Sequence, residues 1–322
     1  KRTIEEGAGI KKCYEVSHEE HQTANQRHIA KALLASDFIT YRFFFKFSNF
    51  TNSDPFEIWQ LFEHEILPFC ATTSSTNLRT DWQAICQRCK DSVTQKSRGK
   101  AANNDRTFLE TNTTAFATNL NDVIESIAKE AKAFYAKHFA KDDSVPLELH
   151  LTLAIKPAYH HDGKRLELPR ILFGITKAGA PPRNIDRPQT YLNEAKLTQI
   201  AISIRLAASL VMLKQSPLKL LVLDDLLISL DMSNRMKVAN IILGEDFTDC
   251  QKIILTHDLG FFQEIRRHIG HDQHKWLFAK IDGNSTEGRR LECVKSDFEQ
   301  AQDYLANDRL AECGNQLRKC VE

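Results

Sequence analysis

The stretch Lys219-Leu220-Leu221-Val222-Leu223-Asp224-Asp225 decides the fold class, because an unbroken apolar run closes on two adjacent carboxylates. A strand without polar alternation is buried on both faces, as in the parallel sheet of an α/β protein, and the carboxyl ends of such strands present ligand-binding groups. Two ionised carboxylates side by side repel each other unless a cation or a proton intervenes. Asp224 is therefore a candidate ligand for a hard divalent ion, directly or through water, and Asp225 a candidate base. The bland alternative is that the pair caps the segment that follows.

Around this run the pattern reads helix, strand, helix, strand, helix over 193–213, 218–224, 232–243, 252–256 and 259–268. That alternation predicts a parallel sheet covered on both faces. Upstream, Leu147, Leu149, Leu151, Leu153 and Ile155 alternate with Glu148, His150, Thr152 and Ala154, which predicts a half-buried strand. A second strand is expected over 170–176, and a loop over 177–190, which holds three Pro and one Gly. Strands at 275–281 and 289–295 and helices over 297–320 complete the pattern.

The first part of the chain reads as mainly helical. Residues 13–70 carry Ile29, Leu33 and Leu34 and two aromatic-rich stretches, 38–50 and 56–69, with a helix start where Ser53 or Asp54 caps and Pro55 occupies the first turn. Over 79–106 seven Lys or Arg face three Asp, which predicts a solvated basic tip. Leu109, Phe116 and Val123 then recur every seven residues beside Leu120, Ile127 and Phe134, the pattern of either a short coiled-coil arm or an amphipathic helix on a globular core. The expected organisation is a helical region and arm over 1–145 with its tip near 72–107, an α/β lobe over 146–296, and terminal helices over 297–322.

Composition narrows the function classes. In 322 residues, 43 Lys and Arg nearly cancel 42 Asp and Glu, so bulk charge recruits no polyanion and any such site is local. No apolar run approaches the roughly 20 residues that span a bilayer. Eight cysteines are scattered without the dense spacing of a secreted scaffold, which fits reduced thiols in a cytoplasm. The opening Lys1-Arg2-Thr3 has neither an initiator Met nor an apolar leader, so the chain is expected to be a fragment or processed product.

Three further stretches give the acidic pair a context: Leu192-Asn193-Glu194-Ala195-Lys196 at a helix start, Ser229-Leu230-Asp231, and His257 after the apolar run 252–256. In this order they resemble the C-terminal lobe of ABC-type ATPase heads of the SMC, RecF and RecN branch, and of the related RloC and PrrC anticodon nucleases. The resemblance covers about 147–281 and implies the C-terminal lobe of a P-loop ATPase head, with a largely parallel sheet. It makes Leu192 to Lys196 the signature motif, Leu220 to Asp225 Walker B, Asp231 the D-loop residue and His257 the switch histidine. It further implies ATP and Mg²⁺ as cofactors, with Asp224 on Mg²⁺, Asp225 on the attacking water and His257 on the γ-phosphate. Asn193 would reach the γ-phosphate of a second protomer, and Asp231 would couple the two sites, so that ATP holds a homodimer together. DNA or RNA, or an effector nuclease, would be the partner, in genome maintenance or antiphage defence, with no membrane involved.

The sequence departs from that family at stated positions. Asp225 stands where Glu is usual, and Asn193 and Ala195 stand where Ser and Gly are usual. No G-x-x-x-x-G-K-[ST] occurs, since Ala180 and Pro181 follow the correctly spaced Gly174 and Gly179. A separate N-terminal lobe would have to supply that Walker A loop, and this chain alone is expected to turn over little ATP. Cys86-Gln87-Arg88-Cys89 is read either as half of a zinc hook shared by two protomers, as some SMC-like proteins carry, or as two unconnected thiols. The basic run from Arg79 to Arg106 could track a phosphate backbone or simply be solvated; Arg266, Arg267, His268, His271 and His274 are read either as a nuclease or metal set, since Arg266 and His271 have an R-x4-H spacing, or, preferably, as cations that complement a helix dipole. Two competing readings use other chemistry: a metal-dependent nuclease acting through Asp224, Asp225 and His257, and a non-hydrolysing scaffold.

Overall fold

The apolar run Leu220–Asp224 is the middle strand of a three-stranded parallel sheet, flanked by Ser36–Thr40 and Gln251–Leu255. The computed structural model describes residues 3–6, 9–12, 36–40, 54–72, 76–94, 100–142, 146–177, 181, 183–214, 216, 219–225, 230, 232–282, 290–295 and 297–321. They fall in two units, Lys1–Leu255 and Thr256–Glu322. Strands of the first unit are β1 (Thr3–Glu6), β2 (Gly9–Lys12), β3 (Ser36–Thr40), β4 (Leu147–Ile155), β5 (Ala158–His160), β6 (Arg165–Glu167), β7 (Arg170–Lys177), β8 (Arg183–Ile185), β9 (Leu220–Asp224) and β10 (Gln251–Leu255). Its helices are α1 (Trp59–Glu65), α2 (Leu78–Thr94), α3 (Lys100–His138), α4 (Pro188–Tyr191), α5 (Glu194–Leu213) and α6 (Met232–Leu243). The second unit holds α7 (Leu259–Ile269), an antiparallel pair β11 (Ala279–Asp282) and β12 (Arg290–Cys293), and the helices α8 (Asp297–Ala306) and α9 (Leu310–Val321).

Strand β3 corrects the expectation that 13–70 is mostly helical, although most of 13–53 lies outside the described residues. Asp37 and Ile39 occupy its core face, opposite Leu221 and Leu223 of β9. On that face Arg205 of α5 forks onto Asp37, with Nη1 donating to Oδ2 at 2.8 Å and Nη2 to Oδ1 at 2.6 Å. Arg205 Nη1 also donates to Ser209 Oγ, and its guanidinium lies 6.0 Å from the Phe69 ring centroid. Below the pair, burial pushes the Cys70 thiol up to about 12, with the Asp37 charge adding to the effect. Helix α5 is long and apolar enough to cross a bilayer, yet 67% of its most apolar window is buried inside the protein, so it serves as a core helix.

The second sheet is antiparallel in the order β4-β7-β8. Leu149, Leu153, Ile171, Phe173 and Ile175 are buried on one face, as the period-two pattern of β4 predicts. The helix expected from Pro55 begins only at Trp59, because 56–58 runs extended beside β7. Ile58 N–H donates to Ile171 O, and Phe173 N–H to Phe56 O, both at 2.9 Å. Glu57 Oε1 then accepts from Trp59 N–H as the helix starts.

The 79–94 part of the predicted solvated tip is a helix that packs inward. Helix α2 buries Leu78, Trp82, Ile85 and Cys89, and Trp82 stacks on Phe116 of α3 at 4.9 Å while meeting Trp59 edge-on at 5.7 Å. Helix α3 resolves the heptad ambiguity toward a helix on a globular core. Its buried positions run Leu109, Phe116, Leu120, Ile124, Ile127, Ala131 and Phe134, sliding from Val123 to Ile124 as a straight 3.6-residue helix must.

At the end of α3, Lys137 Nζ and His138 Nε2 each lie 2.6 Å from the Asp246 carboxylate. Burial alone would raise the Asp246 carboxyl, but hydrogen bonds from Lys137 and His138, with their charges, outweigh it and hold the group below its ordinary range.

Two measurements check these contacts. Asp37→Ala or Arg205→Ala is expected to cost about 3–5 kcal/mol in urea unfolding, and Asp37→Leu combined with Arg205→Met far less, because only the single changes strand a buried charge. Equal losses in single and double variants would show that the two residues do not act as a pair. Asp246 has a lowered folded-state pKa, so its contribution is complete above the unfolded carboxyl range and disappears as pH falls through the folded value. The stability gap between the parent and Asp246→Asn should therefore shrink as pH falls from about 6 to about 3.

Candidate functional site

The three parallel strands end in register: Thr40 of β3, Asp224 of β9 and Leu255 of β10 are neighbours at the carboxyl edge of the sheet. Register follows from the shared core face, since a one-residue slip would turn Leu221 and Leu223 outward. Asp225 leaves β9 in a left-handed backbone conformation, φ +51°, and its N–H donates to Leu255 O at 3.1 Å. That conformation is unfavourable for a residue with a Cβ, although Asp tolerates it better than most. The sharp exit, fixed by one hydrogen bond to the neighbouring strand, keeps the two half-buried carboxylates at the sheet edge.

Asn193 caps α5 as its sequence position predicts, its Oδ1 accepting from Lys196 N–H at 2.9 Å. Glu194 and Ala195 are exposed, Leu192 is half-buried, and Lys196 Nζ stands 5.8 Å from the Tyr135 ring centroid. Because only six residues separate the end of α5 at Leu213 from Leu220, α5 ends near the start of β9. Its N-terminus therefore lies at the end where β9 delivers Asp224. Arg205 is twelve residues beyond Asn193, ~18 Å of helix, while Thr40 is three residues beyond Asp37, ~10 Å of strand. The Asn193 turn thus reaches past the strand ends. Gln199 Nε2 donates to Asn234 Oδ1 at 3.2 Å, joining the second turn of α5 to the first turn of α6.

The remaining expected site residues are placed differently. Asp231 and Ser229 lie outside the described residues, although neighbouring Leu230 is buried. His257 is exposed and belongs to the second unit, two residues beyond the end of β10 in sequence; Asp258 beside it caps α7, accepting from Phe261 N–H. Cys86 and Cys89 are one turn apart on α2. Burial, with Glu63 nearby, pushes the Cys86 thiol up to about 11, and burial also raises Cys89, whose Sγ donates to Lys164 O. Among the described residues no group of three or more His, Cys, Asp or Glu could hold a metal. Of the basic run, Arg88 pairs with Asp105, Arg106 with Glu110, and Arg79 meets His64.

Sequence reasoning missed Asp37 and Arg205, which carry no motif. It also expected a doubly covered sheet. Among the described residues, α5 covers the face of Asp37, Ile39, Leu221 and Leu223, whereas on the other face Leu220 and Val222 are half-buried, and Ile253 and Leu255 of β10 are 40% and 43% exposed. Strand β10 has β9 as its one partner among the described residues, so its outer edge leaves a row of backbone groups without a described strand.

Chemically, the edge offers hard oxygen donors suited to a hydrated divalent cation. Magnesium keeps several waters and commonly takes only one or two protein carboxylates. A triphosphate is less well served, because the chain has no glycine-lysine phosphate loop.

No protein-family model matches this sequence, and no curated protein does. Among solved structures, the chain is similar to an Smc head domain with an extended coiled coil from Pyrococcus furiosus, solved bound to the C-terminal domain of ScpA. Identity is 13% and the TM-score 0.34, over 72% of this chain and 54% of that one. It is also similar to an Smc head domain with a coiled coil and joint from Pyrococcus yayanosii, at 13% identity and TM-score 0.32, over 82% of this chain and 42% of that one. The chain thus spans about half the length of these structures.

Asp225→Gly isolates the backbone term of this edge. It is expected to stabilise the fold by about 1 kcal/mol, and Asp225→Val to destabilise it by at least that much, in equilibrium unfolding. A loss of stability in the glycine variant would mean that the Asp225 side chain, not its backbone, holds the turn.

Proposed function

We propose that this chain is the C-terminal lobe of an ABC-type, SMC/RecF-like ATPase head whose ATP-driven dimerisation acts on nucleic acid or on an effector. The observation that carries the reading is the acidic pair at the carboxyl end of the middle parallel strand, with Asp225 turned out of the strand and tied to β10. In this reading Asp224 holds a hydrated Mg²⁺ and Asp225 orients and deprotonates the attacking water. His257 contacts the γ-phosphate. Asn193 to Lys196 present their helix start to the nucleotide of a second protomer, and Asp231 couples the two sites. Magnesium with ATP supplies phosphate polarisation and charge neutralisation.

The phosphate-binding lysine comes from a separate Walker A lobe. The open edge of β10 and the exposed Ile253 and Leu255 give that lobe a place to add a strand and a second layer, because parallel sheets are ordinarily covered on both faces. Cys86 and Cys89 have no role in this mechanism.

The test supplies the missing lobe. This chain alone is expected to hydrolyse negligible ATP, and co-expression with a Walker A lobe to restore turnover. In the restored complex Asp225→Asn should abolish turnover and trap an ATP-dependent association, visible by light scattering as a mass increase over the same complex without ATP. Substantial ATPase activity of the isolated chain, or Mn²⁺-dependent cleavage of DNA or RNA without ATP, would refute the reading; the latter would favour a nuclease.

A further inference from the structure

Of the fourteen large apolar side chains exposed among the described residues, eight lie in the short second unit. Four of them are ordered on one surface. Phe298 and Leu305 are seven residues apart on α8, 56% and 57% exposed, and Leu310 and Leu317 are seven apart on α9, 68% and 41% exposed. The two helices pack on each other through Ala301, Cys313 and Gln316, and Gln316 Nε2 donates to Gln300 and Asp297 across the contact. At ~100° per residue each exposed stripe sits about 90° around its helix from that contact, in the same rotational sense. The three-residue connection 307–309 makes the helices antiparallel, which brings both stripes onto one face of the hairpin.

We infer that this face is a self-association surface, on which two copies of the chain join their α8–α9 hairpins into a four-helix bundle. A helical hairpin with an apolar outer face is half of such a bundle. The exposed stripe amounts to roughly 400 Å² of apolar surface, the size of the largest patch on a typical monomer, which is often functional. Gly314 adds an independent sign. It lies within the α9 stripe, and a Cβ there would meet nothing within 4 Å, so packing inside the monomer gives no reason for a glycine. A mid-helix glycine costs about 1 kcal/mol relative to Ala, and a close approach by a second helix accounts for it.

Charge selects the pairing. Glu299 flanks the stripe on α8 and Arg318 flanks it on α9, so a two-fold arrangement of α8 on the second copy's α9 brings opposite charges to the same flank twice. This surface is independent of the nucleotide reading and needs neither ATP nor Mg²⁺.

Sedimentation equilibrium of the full chain without nucleotide or metal tests the inference. The parent chain is expected to dimerise at micromolar concentration. Leu305→Glu, Leu317→Glu and Gly314→Leu should each weaken the dimer about tenfold or more. Circular dichroism should stay unchanged and the melting temperature of the diluted monomer should not fall, because all three sites have room in one copy; Gly314→Leu should raise it through the helix propensity gained. A parent chain that remains monomeric up to about 100 μM would overturn the inference and leave the face to a different protein. So would a dimer indifferent to all three substitutions.

Discussion

One buried ion pair ties the first unit together. Asp37 comes from a short strand near the start of the chain and Arg205 from the middle of the core helix α5, and both are almost completely excluded from water. Such a pair yields little net stability against an apolar replacement, but each member makes the absence of the other costly. It therefore specifies arrangement. Strand β3 fits beside β9 only in the register that presents Asp37 to the guanidinium, and that same register aligns Thr40 with Asp224 at the far end.

The edge itself couples two kinds of constraint. Parallel pairing delivers Asp224 to the sheet terminus. The left-handed turn at Asp225 then prevents the strand from continuing, with the hydrogen bond to Leu255 holding the turn against β10.

Much of this was legible in the sequence wherever local pattern and burial agree. The alternation from Leu147 to Ile155 defines β4 because one face of that strand meets the core, and Asn193 reads as a cap because its amide has no better local partner than the Lys196 N–H. Strand β3 was illegible for the converse reason. Asp37 sits where an apolar residue would complete the alternation, and only Arg205, 168 positions away, makes an acid acceptable there. The inward packing of α2 was not read because Leu78, Trp82, Ile85 and Cys89 are spread through a polar stretch that also carries Arg79, Arg88 and Lys90. The role of Pro55 was misread because pairing of 56–58 with β7 delays the helix.

The separation between β3 and β9 also governs how the molecule is made. During synthesis at about 5–20 residues per second, the segment holding Asp37 waits on the order of ten seconds or more before its partners leave the ribosome. Through that interval an early strand carries a carboxylate destined for the interior, and hydration of the charge opposes its premature collapse or pairing with another edge. The acid that lies at this register thus also acts as a gatekeeper on the nascent chain, keeping β3 in solution until its arginine arrives.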